Sequence, residues 1–310
     1  MLRMHRYPLG PILCKRNKAR VLRRRIMESS VSIGVLGGDS RQIYLAESIV
    51  RDGYEVCACG FEQADFSIGV KKTSLEELTD ACGVIILPLP VTIDGITLKA
   101  EYSDGRILLD DSFAEKMRGK RVFGGMMDRL YSTSEIWQEI DESDYYTREE
   151  FTVKNAIPTA EGAVEIAMRE YVGTVSGSRC LVAGFGRVGK TLARMLQGIG
   201  AKVTVSARKP EDLAWIETLG CTAIQTAQIG GGYDMIFNTI PAMIFNRHVL
   251  SSLRGCALLV DLASAPGGVD FEAAEKIGIR AILVPSLPGR VAPKTSGEII
   301  RDTVYCMMGE

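Results

Sequence analysis

The chain has 310 residues, of which 46% are hydrophobic and 24% charged, and its formal net charge at pH 7 is −1. These proportions are typical of a globular protein, and the length suits two domains of ordinary size. No apolar run approaches the roughly 20 residues of a membrane-spanning helix, and eight cysteines without a CxxC pair beside two histidines argue against a metal site.

The first 27 residues are strongly basic, with nine Lys/Arg and no acidic residue, whereas the rest carries 28 Lys/Arg against 38 Asp/Glu. We interpret residues 1–28 as a disordered extension or as the result of a start upstream of Met27. An address or a contact with nucleic acid or an acidic partner is the alternative. The segment lacks the apolar core of a secretory signal. Cysteines within apolar runs further indicate a reducing cytoplasm.

Residues 29–154 contain strand-like runs alternating with helical ones, the pattern of an α/β domain with a doubly wound, mostly parallel sheet. VSIGVLGGD (31–39) predicts a buried strand ending in a glycine-rich turn, and RQIYLAESIVRDG predicts the helix after it. Further strands are predicted in YEVCACGF, CGVIILPLP (82–90) and RVFGGM (121–126). We expect this domain to bind the substrate.

A linking helix is expected over residues 155–175, in NAIPTAEGAVEIAMREYVG, where apolar residues recur at helical spacing. Thr159, directly behind Pro158, is the expected N-cap. A last helix is expected within 296–310. It should pack back on the first domain and close a cleft between the two domains.

Residues 176–295 predict a second α/β domain of the same type. Its strands are expected in SRCLVAGFG (178–186), AKVTVSAR (201–208), YDMIFNTIP (233–241), CALLVDLAS (256–264) and IRAILVPSLPG (279–289).

GFGRVGKT (184–191) fits two phosphate-binding motifs at once. Gly184-x-Gly186-x-x-Gly189 is the dinucleotide fingerprint of a Rossmann unit, whereas GxxxxGKT is a Walker A loop, for which Asp261 would supply the magnesium ligand. The next strand begins only about ten residues after the motif, so that strand, turn, helix and strand fit one compact βαβ unit. This favours the dinucleotide; a degenerate turn without a nucleotide remains open.

Arg208, at the end of the second strand of this unit, indicates which dinucleotide binds. NAD enzymes usually carry an acidic residue there, whereas an arginine suits the 2′-phosphate of NADP. We therefore predict NADP(H) as the cofactor. The expected contacts are Gly184, Gly186, Arg187, Val188, Gly189, Ser206, Arg208, Lys209, Asn238, Thr239, Ile240 and Pro241.

Several stretches along residues 31–308 together resemble the family of the dipicolinate synthase A subunit, found in endospore-forming bacteria. They are GVLGGDSRQIYLAESI, NAIPTAEGAVEIAM, LVAGFGRVGKTLA, DMIFNTIPA, DLASAPGGVDF and PSLPGRVAPKTSG. The resemblance implies the NADP-dependent oxidation of dihydrodipicolinate, or of its hydroxytetrahydro precursor, to dipicolinate during sporulation. It also implies the dipicolinate synthase B subunit, flavoprotein-like, as partner in a heteromeric complex in the mother-cell cytoplasm. We expect an oligomer, and no nucleic-acid or membrane partner.

A small dianionic substrate requires cationic groups or backbone amides around it. Arg41, beside Gln42 at the end of the first strand, is expected either to clamp a carboxylate or to pair with Asp39. The other expected substrate contacts are Asn155, Thr159, Arg290 and Ser296. The candidates for proton transfer are Asp39, Glu161 and Lys294, which the sequence does not rank; Arg290 and Lys294 are alternatively ordinary loop charges.

Two other functions stay open on the sequence alone. One is an NADP-dependent dehydrogenase of the shikimate or hydroxyacid type, although His248 is not expected to serve as the acid–base histidine of such enzymes. The other is a non-catalytic nucleotide-binding protein whose partner carries out the chemistry.

Overall fold

The structure is a computed structural model that describes residues 31–253 and 255–310, so the basic extension lies outside the described residues. The chain forms two compact units. One contains the described residues up to Arg148 together with Ile300–Glu310, and the other contains Glu149–Ile299.

The first unit is built on a six-stranded parallel sheet in the order β3-β2-β1-β4-β5-β6. Its strands are β1 (Ile33–Leu36), β2 (Val56–Cys59), β3 (Lys71–Lys72), β4 (Val84–Ile86), β5 (Arg121–Gly124) and β6 (Asp141–Asp144). Its helices are α1 (Ser40–Arg51), α2 (Leu75–Ala81), α3 (Asp111–Glu115) and α4 (Asp128–Tyr131), with short 3₁₀ turns at Glu135–Glu139 and Tyr145–Thr147.

The second unit repeats this arrangement in the order β12-β11-β10-β7-β8-β9, again entirely parallel. Its strands are β7 (Arg179–Ala183), β8 (Lys202–Ala207), β9 (Thr222–Gln225), β10 (Met235–Asn238), β11 (Leu258–Asp261) and β12 (Ala281–Leu283). Its helices are α5 (Glu149–Glu170), α6 (Arg187–Gly198), α7 (Pro210–Thr218), α8 (Arg247–Ser252), α9 (Phe271–Ile277) and α10 (Leu287–Val291), with a 3₁₀ turn at Thr226–Gln228. The last helix is α11 (Pro293–Met308).

Both sheets have the strand order of a Rossmann fold, with the first strand of each unit in the middle. The predicted fold class of two parallel α/β domains is thereby confirmed. Residues of β1, β2 and β4 in one unit, and of β10 and β11 in the other, are buried throughout, because helices cover both faces of a parallel sheet. In each unit the order reverses beside the first strand, and ligands of such sheets bind at that switch point.

Helix α5 differs from its prediction. It begins at Glu149 and runs through Pro158, so the prediction that Thr159 caps its start is wrong. The Thr159 hydroxyl instead donates to the carbonyl of Asn155 one turn earlier. An interior proline removes one helical hydrogen bond, but Pro158 is buried together with Phe151 and Ala156. Packing of this apolar face therefore carries the helix through the proline.

The end of α11 is held within the first unit by two arginines. Arg121 donates to the carbonyls of Met307 and Met308, at 2.7 and 3.1 Å. Arg148 pairs with both carboxylate oxygens of Glu310, each at 2.7 Å. Cations at this end satisfy helix carbonyls that have no partner within the helix.

Within residues 31–253 and 255–310, no helix combines the length and apolarity that crossing a membrane would require.

Candidate functional site

The glycine turn between β7 and α6 lies at the switch point of the second sheet. Gly184 has a left-handed φ of 101°, and a β-carbon there would lie 2.9 Å from the Ile240 side chain. A β-carbon on Gly189 would overlap the carbonyl oxygen of Gly184. Gly186 differs, because its φ is an ordinary −80° and a β-carbon there would meet nothing within 4 Å. The protein's own packing requires the outer glycines, whereas the middle one leaves the backbone open to a close ligand.

The start of α6 is suited to an anion. Gly186 occupies the N-cap and provides no side chain to cap the helix, whose first amides have no acceptor within the helix and carry partial positive charge. In the first unit, Asp39 caps α1, and Gln42 completes a capping box. Of these two corresponding helices, only α6 is left without a side-chain cap.

The residues of the Walker alternative are engaged elsewhere. The Lys190 ammonium lies over the Phe185 ring, 4.8 Å from its centroid. Asp261 is fully buried, and its oxygens accept from the side chain of Asn238 at 2.8 Å and from the amide of Gly268 at 3.1 Å. Strand β10 also separates the strand of Asp261 from β7. This arrangement favours the dinucleotide motif.

Arg208 is exposed directly after the end of β8 and makes no hydrogen bond or ion pair with the described part of the chain. Lys209 beside it is exposed at the N-cap of α7, where no side chain caps the helix. Ser206 is instead fully buried, and its hydroxyl has no partner among the described residues. Of these three expected cofactor contacts, Arg208 and Lys209 therefore face solvent, whereas Ser206 does not.

The loop after β10 packs on the glycine turn. The Thr239 hydroxyl donates to the carbonyl of Ala183 at 2.9 Å, and Ile240 lies against Gly184. Asn238 is fully buried, and its side chain forms two hydrogen bonds with the backbone of Ile240. It accepts from the Ile240 amide and donates to the Ile240 carbonyl, at 3.1 Å each. Asn238 therefore shapes this loop, while Pro241 is exposed at its tip.

The remaining expected cofactor contacts lie on the first turn of α6. Arg187 is exposed and pairs with Glu149 at the start of α5, with Nε 3.0 Å from both carboxylate oxygens. Val188 is half-buried. The structure thus brings together the glycine turn, the loop after β10 and the end of β8, which lie far apart in the sequence.

A charged cluster lies at the switch point of the first sheet. Arg41 donates from Nε and Nη2 to the two oxygens of Asp39, at 2.8 and 2.7 Å, and Nη2 also bonds the carbonyl of Leu89. Lys99, which the sequence analysis did not single out, lies 2.6 Å from the same carboxylate. Burial would raise the pKa of Asp39, but the hydrogen bonds and charges of Arg41 and Lys99 outweigh it and hold this pKa well below its usual range.

This environment bears on two of the expected site residues. The lowered pKa of Asp39 makes its carboxylate a weak base, and Arg41 and Lys99 already bond both of its oxygens; its role in proton transfer stays a prediction. Arg41 pairs with Asp39, the alternative to clamping a substrate carboxylate. Gln42 is fully buried; its carbonyl oxygen accepts from the amide of Asp39 at 3.1 Å, and its Nε2 has no partner among the described residues.

The candidates on α5 do not lie at a helix start. Asn155, Thr159 and Glu161 all lie inside α5, away from the free backbone amides at the helix start. Glu161 is exposed.

The candidates near α11 have different surroundings. Arg290 and Lys294 are exposed after β12. Ser296 is buried, and its hydroxyl donates to the carbonyl of Pro288 at 3.0 Å, which gives it a structural role. His248 is exposed on α8. Among the residues that the structure describes, no group of three or more metal-ligating side chains occurs.

Comparison with known proteins agrees with this architecture. The dipicolinate synthase A subunit from Bacillus subtilis (strain 168) is 33% identical over 290 residues, which cover 92% of this chain and 98% of the relative. The chain belongs to the family of the dipicolinate synthase A subunit. Residues 32–133 match the sequence model of the N-terminal domain of this family.

Two crystal structures from this family share the fold. The dipicolinate synthase A subunit from Bacillus halodurans aligns with a TM-score of 0.82 at 32% identity and covers 91% of this chain and 99% of its own. The corresponding chain of dipicolinate synthase from Bacillus subtilis aligns with a TM-score of 0.80 at 32% identity, covering 90% and 96%.

The second unit of this family member is also a recognised cofactor domain. Residues 152–266 match the model of the NAD binding domain of D-isomer specific 2-hydroxyacid dehydrogenases. A domain of this type supports a nicotinamide dinucleotide cofactor and an oxidoreductase role.

Proposed function

We propose that this protein is an NADP-dependent oxidoreductase that forms dipicolinate from dihydrodipicolinate, or from its hydroxytetrahydro precursor, during sporulation. The observation that carries the proposal is the open glycine turn at Gly186, at the start of an uncapped helix in a chain of this family. We further propose that it works with the dipicolinate synthase B subunit in the mother-cell cytoplasm, since the name of the Bacillus subtilis relative makes that protein one component of a larger enzyme.

The proposed reaction balances with the nicotinamide as the only oxidant. The hydroxytetrahydro form first loses water to give dihydrodipicolinate. A ring carbon then gives a hydride to NADP⁺, a second ring position gives a proton to a base, and the ring becomes aromatic. Glu161 and Lys294 remain candidates for this base because both are exposed and neither is held in a buried ion pair.

The preference for NADP rests on Arg208. Its guanidinium is exposed at the end of the second strand of the unit and has no partner among the described residues. It therefore offers a positive charge and paired N–H donors, the groups that bind a 2′-phosphate. Lys209 adds a second cation next to it. Both residues lie where an acidic side chain would favour NAD.

The cofactor proposal is tested by titrating the protein side by side with NADPH, NADH and ATP, followed by nicotinamide fluorescence or calorimetry. We expect NADPH to bind more tightly than NADH and ATP not to bind. Tight ATP binding without nicotinamide binding would overturn the proposal in favour of the Walker alternative. NADH binding as tight as NADPH would overturn the cofactor preference alone.

The substrate proposal requires a separate assay. We expect NADPH formation when the lysine-pathway precursor is supplied, with or without the B subunit. The match to a 2-hydroxyacid dehydrogenase domain favours one alternative, so a panel of 2-hydroxyacids is assayed in parallel. Faster turnover of a hydroxyacid would replace the proposed substrate, and no turnover of either class in the reconstituted complex would favour a non-catalytic role.

A further inference from the structure

The first unit repeats the strand order of the nucleotide-binding unit, but its own residues close its glycine turn. The amide of Gly38 donates to the carbonyl of Lys99 at 2.7 Å. The amide of Asp39 donates to Gln42, and the amide of Arg41 donates to the Asp39 carboxylate at 3.0 Å. Amides that would face a phosphate in a dinucleotide fold are therefore used internally, and the Asp39 carboxylate occupies the anion position at the start of α1.

Two cations converge on this one carboxylate. The side chains of Asp39 and Arg41 are 11% and 7% exposed, and that of Lys99 is 10% exposed. Glu101 lies 3.2 Å from the Lys99 ammonium, but its side chain is 53% exposed. Without Glu101, the buried part of the cluster carries one net positive charge.

Arg41 and Lys99 differ in their freedom to bind a ligand. Arg41 is fixed by a two-bond fork to Asp39 and by its bond to the carbonyl of Leu89. An ammonium has three donors; Lys99 gives one to Asp39, and its ion pair with Glu101 involves a solvent-exposed carboxylate. Because the Glu101 side chain is 53% exposed, its carboxylate can return to water at little cost and leave its place beside the Lys99 ammonium to another carboxylate.

We propose that Lys99 binds a carboxylate of the substrate, displacing Glu101. Asp39 and Arg41 are positioning residues that hold the ammonium at the switch point of the first sheet. This inference rests on the proposed function, because it takes the dianionic substrate from there. It assigns the first unit a small-carboxylate site in place of the dinucleotide site of the second unit.

The experiment is calorimetric titration with dipicolinate, and with pyridine-2-carboxylate as the monoanionic probe, in the presence of NADP⁺. We expect Lys99→Met to weaken dipicolinate binding by about ten- to a hundredfold, the usual effect of losing a charge-assisted hydrogen bond, and to reduce the preference for the dianion. Glu101→Gln removes the competing carboxylate and is expected to tighten binding severalfold. Lys99→Arg should retain part of the affinity, and Lys72→Met, at an exposed lysine on β3, is the control.

Two results would overturn the assignment of Lys99: dipicolinate affinity unchanged in Lys99→Met, or unchanged in Glu101→Gln while the wild type binds. The second test remains decisive if Lys99→Met unfolds, because Glu101 is not part of the buried cluster. A wild-type protein that binds NADPH but not dipicolinate would contradict the proposed substrate instead. NADPH affinity unchanged in each variant identifies the effect as one on the carboxylate site.

Discussion

Gly189 lies so close to Gly184 that a β-carbon at Gly189 would overlap the carbonyl oxygen of Gly184. The first turn of α6 therefore packs directly on the end of β7, and this contact fixes the helix start at the edge of the sheet. The middle glycine of the motif has no such neighbour. The motif therefore contains glycines of two kinds, which substitution distinguishes.

Gly189→Ala is expected to lower the free energy of unfolding by about 1–3 kcal/mol, because the added methyl group must displace backbone. Gly186→Ala should leave stability within about 0.5 kcal/mol, as expected for a surface substitution, but weaken NADPH binding. Chemical denaturation and nicotinamide fluorescence measure the two effects. A Gly186→Ala protein with wild-type NADPH affinity would contradict a close approach of the cofactor to this residue.

Arg208→Ala is expected to weaken NADPH binding by about ten- to a hundredfold and to leave NADH binding nearly unchanged, because only NADPH carries the 2′-phosphate. Titration of both nucleotides measures the ratio. Arg194→Ala removes another exposed arginine of the same unit and is the control. Equal losses for both nucleotides in Arg208→Ala would assign this arginine a role outside 2′-phosphate recognition.

Asp39→Asn is expected to lower the free energy of unfolding at pH 7 by about 3–5 kcal/mol, because it leaves two buried cations without their carboxylate. The folded-state pKa of Asp39 lies below the unfolded value of about 3.9, so its stabilisation is fully present above that pH and is lost as the pH falls towards the folded-state pKa. The difference between the wild type and the variant should therefore shrink below about pH 4. Urea denaturation between neutral and acidic pH measures it, and a constant difference would mean that Asp39 is not the titrating group.

The buried cysteines are expected to resist alkylation. Burial raises the pKa of Cys59 to about 11 and that of Cys256 to about 11, so neither forms much thiolate near neutral pH. Cys306 is exposed on α11. In a Cys14→Ser background, iodoacetamide should modify Cys306 first and the buried thiols only after denaturation, as peptide mass analysis would detect. Rapid native labelling of Cys59 would contradict its burial.

Local patterns predicted the central strands and missed most of the edge strands. Central strands such as β1 and β11 are runs of apolar residues bounded by turn residues, which a sequence indicates directly. Edge strands β3 and β6 consist of Lys71–Lys72 and Asp141–Asp144. They are strands only because a neighbouring strand supplies their hydrogen bonds, and charged side chains are tolerated at an edge.

The sequence by itself determined the two α/β domains, the glycine turn and Arg208, because these depend on periodicity and on spacing within one βαβ unit. Only the tertiary structure decided the partners of distant groups. Lys99 is separated from Asp39 by 60 residues, so no local pattern could predict the pair or the lowered pKa of Asp39 to which it contributes. Helix α5 continues through Pro158 for the same reason: burial of its apolar face, which depends on the folded chain, outweighs the local preference of proline to begin a helix.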